Sequence, residues 1–231
     1  MKLIRIPVDI QRGFASPNGH LYVPQKGNEL DNAVALSTDA QAKDIPIVGC
    51  VDSHAYDAWE FVDNGGPFPA HCVKGTEDWL LMDGVAPKRF RFIPMSQPNQ
   101  GLVGENKSGG GNRVYGSADF ASEALSGVGL FFEKEVYSAF ANPNAEIYLD
   151  WLVEVMGGKE NVTFQVYGYC TGGFCVDGFV LGLLQRGYKV QVVADACVAI
   201  DGAFGPDGNE YSRKTLTEAG ATFITTAQAL V

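Results

Sequence analysis

Gln165-Val166-Tyr167-Gly168-Tyr169-Cys170-Thr171-Gly172-Gly173-Phe174-Cys175-Val176 is an apolar run that breaks into small residues and then enters a helical pattern at a cysteine. It reads as a strand, a tight turn and a helix. Glycines at such a turn let the backbone approach a ligand, and the helix start behind them places the Cys175 thiol at a crevice. Unpaired N–H groups and the helix dipole favour the thiolate there, the reactive form of cysteine. A free cysteine is also commonly a small buried hydrophobe, and this stretch alone is open to both readings.

Working outward, the same alternation of strand and helix runs through the chain. Residues 162–168 form the strand of that unit and 175–186 its helix, stopped by Gly187; a further strand over 188–194 ends at Asp195. Upstream, 3–10 reads as a short strand in which Pro7 points to an irregular or edge position. After a Gly/Pro/Asn-rich loop, a helix capped by Asn28 runs to about residue 43, and 45–51 is a second buried strand. Weaker strand character over 88–93 precedes a Gly-rich insertion around 95–116. A helix over 117–125, a strand over 128–133, a helix over 145–156 and a last short strand and helix within 216–231 complete the pattern. Strands alternating with helices imply right-handed crossovers and a mainly parallel sheet between helical layers, within one domain spanning 1–231.

Composition narrows the partners. A formal net charge of -10 argues against nucleic acid or an anionic membrane surface, and no apolar run approaches bilayer-spanning length. A neutral or small substrate is easier to accommodate. The 5 cysteines are an odd number, and Lys2 and Arg5 fall where a secretory leader would carry its apolar core, so reduced thiols and a cytoplasmic location are expected.

Asp9, Asp52, His54, Lys134 and Cys175 all fall at or just beyond the C-terminal ends of predicted strands, which is where open parallel sheets bind ligands. Taken singly, an Asp after a strand is as readily a turn or cap residue, and Lys134 between Glu133 and Glu135 reads as a solvated charge cluster. Asp52 and His54 share one side of an extended segment, and with His71 they make an N/O donor set suited to zinc, iron or manganese. His20 reads as exposed. Asp57, Glu60 or Asp63 could add a ligand. A thiolate-rich zinc site including Cys72, Cys170 and Cys175 is conceivable, although no CxxC pair supports it.

Five landmarks in order carry a family resemblance: Val8-Asp9-Ile10-Gln11-Arg12-Gly13-Phe14, Val51-Asp52-Ser53-His54, Phe68-Pro69-Ala70-His71-Cys72-Val73-Lys74-Gly75-Thr76, Lys134 leading into Tyr137-Ser138-Ala139-Phe140, and Gly168 to Val176. With them the chain resembles the isochorismatase-like cysteine hydrolases, and among these the nicotinamidases most. The resemblance implies a three-layer α-β-α sandwich of Rossmann-like isochorismatase type, a catalytic triad of Asp9, Lys134 and Cys175, and one divalent ion, zinc first with iron or manganese as alternatives, on Asp52, His54 and His71. It further implies hydrolysis of nicotinamide to nicotinic acid and ammonia through a thioester, a place in pyridine nucleotide salvage, and a possible homo-oligomer. Phe14 and Phe68 are the aromatics expected around the substrate ring, with ordinary packing as their other reading.

The same resemblance implies an oxyanion hole of backbone N–H groups at Cys170 and Cys175, with a cis peptide between Tyr169 and Cys170, and a Cys175 thiol whose pKa is lowered by the helix terminus and Lys134. Here the chain departs from the family: Thr171 stands four residues before Cys175, not three, so Gly172-Gly173 makes a longer turn. Two other functions fit the same residues. One is hydrolysis of another small amide, carbamoyl or ureido compound by the triad alone. The other is a metal- or ligand-binding homologue without turnover.

Overall fold

The computed structural model describes residues 2–95 and 116–231. One sheet of seven strands carries the chain: β1 (Lys2–Val8), β2 (Val48–Asp52), β3 (Phe90–Ile93), β4 (Gly129–Lys134), β5 (Val162–Thr171), β6 (Lys189–Ala199) and β7 (Thr222–Ile224), in the order β3-β4-β2-β1-β5-β6-β7. Every pairing is parallel. The near-continuous burial of β1, β2, β4 and β5 explains their apolar composition, because helices cover both faces of such a sheet. α2 (Glu29–Ala42) and the short α7 (Thr226–Ala229) pack on one side, where the buried Arg5 guanidinium bonds Asp39, Gln165 and the Ala229 carbonyl. α3 (Ser117–Leu125), α4 (Ala145–Val155), α5 (Cys175–Gln185) and α6 (Gly208–Glu218) form the other layer, and a single-turn α1 (Arg12–Ala15) follows β1.

The strand order reverses at β1. The chain steps from β1 to β2 on one side and later places β5 on the other, so the crevice beyond the C-terminal ends of β1 and β5 is a topological switch point. Asp9 follows β1, Asp52 ends β2, Lys134 ends β4, and Cys175 opens α5 just after β5.

Three expectations are adjusted by this arrangement, with the irregular reading of Pro7 kept and its edge reading dropped, and one helix is added to them. Pro7 lies in the central strand, not at an edge. The Arg5 amide donates to Pro46 O and the Asp9 amide to Cys50 O, while Pro7 between them has no N–H, so β1 and β2 pair sparsely at that point. Asn28 stands at the start of α2 but its side chain caps nothing; Gln25 Oε1 accepts the Leu30 amide at 3.1 Å instead. The strands after residues 162 and 188 run on to Thr171 and Ala199, with register shifts at Val166/Gly168 and Tyr169/Thr171 that bend them together beyond the regular sheet. α6 begins at Gly208, where the sequence shows too few apolar residues for a periodic signal; its local mark is Asp207, whose carboxylate accepts the Glu210 amide at 3.1 Å. The insertion around 95–116 lies, apart from its two ends, outside the described residues.

Candidate active site

The left-handed backbone at Asp9, φ 49°, turns its carboxylate back into the crevice, where the side chain is fully buried. Lys134, also fully buried, reaches it with Nζ 2.7 Å from Asp9 Oδ2, a close ion pair without the alignment of a hydrogen bond. The same ammonium donates to Asp52 Oδ1 at 2.9 Å and lies 3.5 Å from Cys175 Sγ. Lys134 is therefore no part of a solvated cluster; its neighbour Glu133 faces elsewhere and accepts from Lys74 at 2.6 Å. Cys50, a residue the sequence offered no reason to select, donates its thiol to Asp9 Oδ1 at 3.3 Å.

These contacts set the protonation states. Burial works against the Lys134 charge, but Asp52 and Asp9 hold its proton well above the usual range. Burial would likewise raise Asp52, yet Lys134 and the two histidines keep it well below the ordinary carboxylate value. Asp9 goes the other way: burial raises it, with Lys134 offsetting only part of that cost. The Cys175 thiol is raised well above a free cysteine, first by its contact with Cys170 and then by burial, which outweigh Lys134. This corrects the expected low thiol pKa. A thiol raised in this way needs a base to take its proton during attack.

On the other side of Asp52 lies a second cluster. Asp52, His54, Glu60 and His71, all buried, present ligand atoms within 4.8 Å of one another. His54 Nε2 sits 3.2 Å from Asp52 Oδ2 and 3.0 Å from Glu60 Oε1, yet makes an aligned hydrogen bond with neither. His71 Nε2 is 3.4 and 3.3 Å from the same two oxygens, while its Nδ1 meets the Pro69 carbonyl at 2.8 Å, which orients the ring. Burial opposes a charge on His54, but the two carboxylates push its pKa up to about 9. Two imidazoles and two carboxylates converging on one point, with unaligned contacts among them, are the donor set of a divalent cation. Glu60 is the member the sequence left among three choices, because it stands in an aperiodic loop whose path only the fold fixes. No cysteine joins the cluster, and all five thiols are free.

Local hydrogen bonds hold the strand ends in place. Gln11 brackets Asp52: its Oε1 accepts the Asp52 amide at 2.7 Å and its Nε2 donates to the Asp52 carbonyl at 2.9 Å. His54 donates its amide to Cys72 O and accepts from Lys74, which ties the His71 loop beside it. Phe14 and Phe68 meet the His71 ring edge-on at 5.4 and 6.1 Å, and Phe61 packs on His54 at 5.2 Å. His20 stays exposed and bonds Asp78. The turn before Cys175 differs from expectation: no peptide bond among the described residues is cis, and Cys170 adopts φ 63°. The left-handed residue makes the bend that a non-proline cis bond, costing about 2.5–4 kcal/mol, would otherwise supply. The amides of Phe174 and Cys175 donate to no acceptor among the described residues.

A small pocket of about 30 Å³ opens over Cys175, lined by Phe14, Phe68, Phe174, Tyr137 and Ile200 together with Asp52, Glu60 and His71. The sequence model described as the isochorismatase domain matches residues 4–93 and 122–228. The chain belongs to the isochorismatase family. Among solved structures, this family member is similar to a nicotinamidase/pyrazinamidase of Bacillus subtilis at 22% identity, covering 96% of this chain and 99% of that one with TM-score 0.64. A Pyrococcus horikoshii pyrazinamidase in complex with zinc aligns at 21% identity, 97% and 99% coverage and TM-score 0.65. An N-carbamoylsarcosine amidase from Thermoplasma acidophilum aligns at 21% identity, 98% and 97% coverage and TM-score 0.63. Likeness at these identities shows the shared α/β fold. A search of curated protein sequences finds no match. The chain is thus an isochorismatase-family hydrolase with a buried cluster fit for a metal ion, and among the described residues no helix is long and apolar enough to cross a membrane.

Proposed function

We propose that this isochorismatase-family chain is a metal-assisted cysteine amidohydrolase that converts nicotinamide to nicotinic acid and ammonia, in the reduced cytoplasm and within pyridine nucleotide salvage. The observation that carries the reading is the position of Asp52, which touches Lys134 through Oδ1 and the His54/His71 pair through Oδ2, so that nucleophile and metal cluster share one apolar pocket. Asp52, His54, Glu60 and His71 would hold a divalent ion, zinc first on this donor set and iron or manganese next, which would supply Lewis acidity for a pyridine nitrogen.

The chain's own residues account for the bond changes. Asp9 takes the Cys175 proton as sulfur attacks the amide carbon, and the carbonyl electron pair moves to oxygen. That oxyanion would be received by backbone amides around the nucleophile, those of Cys170 and Cys175 expected from the resemblance, with the Phe174 amide, which like that of Cys175 donates to no acceptor among the described residues, beside them. Collapse breaks the C–N bond, with the Asp9 proton going to the leaving nitrogen as ammonia. Asp9 then deprotonates a water that attacks the thioester, and the proton returns to sulfur as the acid leaves. Throughout, Lys134 keeps the Asp9 carboxylate in place and the developing thiolate favoured.

Substrate charge separates this reading from a ureido acid such as the Thermoplasma relative's N-carbamoylsarcosine. A carboxylated substrate needs a cation in the pocket. Among the described residues no lysine or arginine lines the pocket, Lys134 behind it is neutralised by Asp9 and Asp52, and the ion on the Asp52 cluster is the one positive centre, which this reading gives to the ring nitrogen. The test is ammonia release by metal-loaded protein from nicotinamide beside N-carbamoylsarcosine. Release from nicotinamide that is lost on chelation and regained with zinc is expected; release from the ureido acid alone would overturn the proposal.

Two further outcomes follow from the pocket. Glu60→Ala removes one of four donors and should weaken zinc binding by at least the roughly 10–100-fold that loss of an outer partner costs, read by competition with a chelating dye. An unchanged affinity would exclude Glu60 from the ligand set. Phe68→Ala removes a half-buried ring that packs edge-on against His71, an interaction of about 0.5–1.5 kcal/mol. KM for nicotinamide should rise roughly 2–10-fold with kcat little changed; a fall in kcat at constant KM would give Phe68 a different role.

A further inference from the structure

The turn before Cys175 contains two consecutive glycines in the left-handed region, Gly172 at φ 93° and Gly173 at φ 97°. Glycine pairs are the most permissive backbone available, and a nucleophile resting on one needs its turn fixed by other means. A Cβ at Gly172 would lie 2.6 Å from the Ile200 carbonyl oxygen, which excludes a side chain, whereas at Gly173 it would meet the exposed, movable Phe204 ring and the positive φ is the constraint. Close packing alone does not hold the amides in direction.

That direction comes from a buried polar cluster outside the catalytic crevice. Asp177, 2% exposed, stands two residues after Cys175 in the first turn of α5. Its Oδ2 accepts the Gly173 amide at 2.5 Å and its Oδ1 the Thr171 hydroxyl at 2.7 Å. Ser212 of α6, 3% exposed, places its hydroxyl 2.8 and 2.6 Å from the two carboxylate oxygens and in turn accepts the Gly172 amide at 2.7 Å. Donor and acceptor counts close: each hydroxyl gives its proton towards the carboxylate, and both glycine amides are taken. Asp177 thus acts as a cap for α5 from within the helix, since Phe174 at the cap position offers no side-chain acceptor.

We propose that Asp177, through Thr171, Gly173 and Ser212, is the positioning residue of the nucleophile turn: it draws the Gly172 and Gly173 amides away from the pocket and leaves those of Phe174 and Cys175 facing it. This rests on the amidohydrolase reading for its catalytic consequence, although the geometry of the turn does not.

Asp177→Ala and Asp177→Asn lose the same charge, but asparagine keeps an oxygen for the Gly173 amide, while the Ser212 and Thr171 hydroxyls can rotate to accept from its nitrogen. Comparing the two therefore separates hydrogen bonding from charge. With nicotinamide, Asp177→Ala should lower kcat on the order of 10–100-fold with KM within about twofold, as expected when oxyanion donors lose alignment, and Asp177→Asn should restore most of the loss. Equal kcat for the two variants, or an effect confined to melting temperature, would reduce Asp177 to a helix cap and overturn the proposal.

The rate of Cys175 alkylation by iodoacetamide, followed by mass spectrometry of the labelled peptide, gives a readout without substrate. It should be at least about threefold slower in Asp177→Ala than in Asp177→Asn. If nicotinamide is not turned over by the unaltered protein, the amidohydrolase reading fails and the alkylation comparison still decides the positioning role. Should Asp177→Ala fail to fold, Ser212→Ala removes the Gly172 acceptor alone and should lower kcat and alkylation about threefold; unchanged values for both would count against the proposal equally.

Discussion

Cys175→Ala should abolish amide hydrolysis, with kcat falling by about 10⁴–10⁶, the order seen when a hydrolase loses its nucleophile. The size follows from what is left behind. Asp9 would still face the pocket, but a carboxylate fixed by Lys134 has only water to deprotonate, and an amide carbon is a poor target for water without prior conversion to a thioester. Cys175→Ser is expected to behave almost identically. The hydroxyl is far less acidic than a thiol, and the site already holds the thiol proton above its ordinary pKa, so Asp9 would have to remove a still more tightly bound proton. The fold should survive both changes, because Cys175 sits at a pocket wall where a small side chain leaves space that is already open. The measurement is ammonia release alongside the far-ultraviolet circular dichroism spectrum and zinc content of each variant. Native spectrum and zinc with activity gone is the expected result. Residual activity above about a tenth of the parent would mean that the thioester is not on the path and that Asp9, Lys134 and Cys175 do not form a triad.

How far such a site can be read from sequence depends on what fixes each residue. Asp9, Asp52, Lys134 and Cys175 were legible because strand ends are set by apolar periodicity, and parallel topology then gathers them at one edge without knowledge of any contact. His54 follows from the period of two, and His71 from scarcity, the chain having 3 histidines in all. Glu60 was not separable from Asp57 and Asp63, since a loop's path depends on tertiary contacts such as the Phe61 ring packed on His54. Asp177 was invisible for a different reason: an acid in the first turn of a helix is ordinary, and its role arises only when the bend of β5 and the start of α6 bring Thr171 and Ser212 to it. The same holds for protonation. Proximity of a helix terminus and a lysine argued for a lowered thiol pKa, but complete burial and the Cys170 contact reversed the sign, and neither magnitude is written in residue spacing. The expected cis bond failed likewise, because the family pattern was carried onto a turn one residue longer, where φ 63° at Cys170 provides the bend.

Replacing Lys134 by methionine, close in length but without charge, should produce the largest loss of stability of any single change in the site. It would leave the Asp9 and Asp52 carboxylates buried beside each other with no counter-ion, and breaking a buried pair in this way costs about 3–5 kcal/mol. For a chain of this length that corresponds to a melting temperature lower by roughly 6–20 °C. The pH dependence should steepen as well. In the parent protein Asp52 is depressed when folded, so its contribution is present above the unfolded carboxylate pKa and is lost as pH falls through the lower folded value. In Lys134→Met the folded pKa of Asp9, already raised by burial, rises further once the lysine that offset it is gone. A group whose folded pKa is raised binds more protons folded than unfolded, so stability falls as pH climbs from the unfolded carboxylate value towards the folded one. Chelated Lys134→Met protein should therefore gain more melting temperature between pH 8 and pH 5 than chelated parent protein does, since His54 and Asp9 favour the acid side in both and Asp9 more so in the variant. Activity at neutral pH should be lost in step, since a protonated Asp9 cannot accept the Cys175 proton. Differential scanning calorimetry across that range decides the matter. A variant that melts within about 2 °C of the parent at every pH would show that Lys134 is not what keeps two carboxylates charged in the core, and the electrostatic basis of the triad would fall with it.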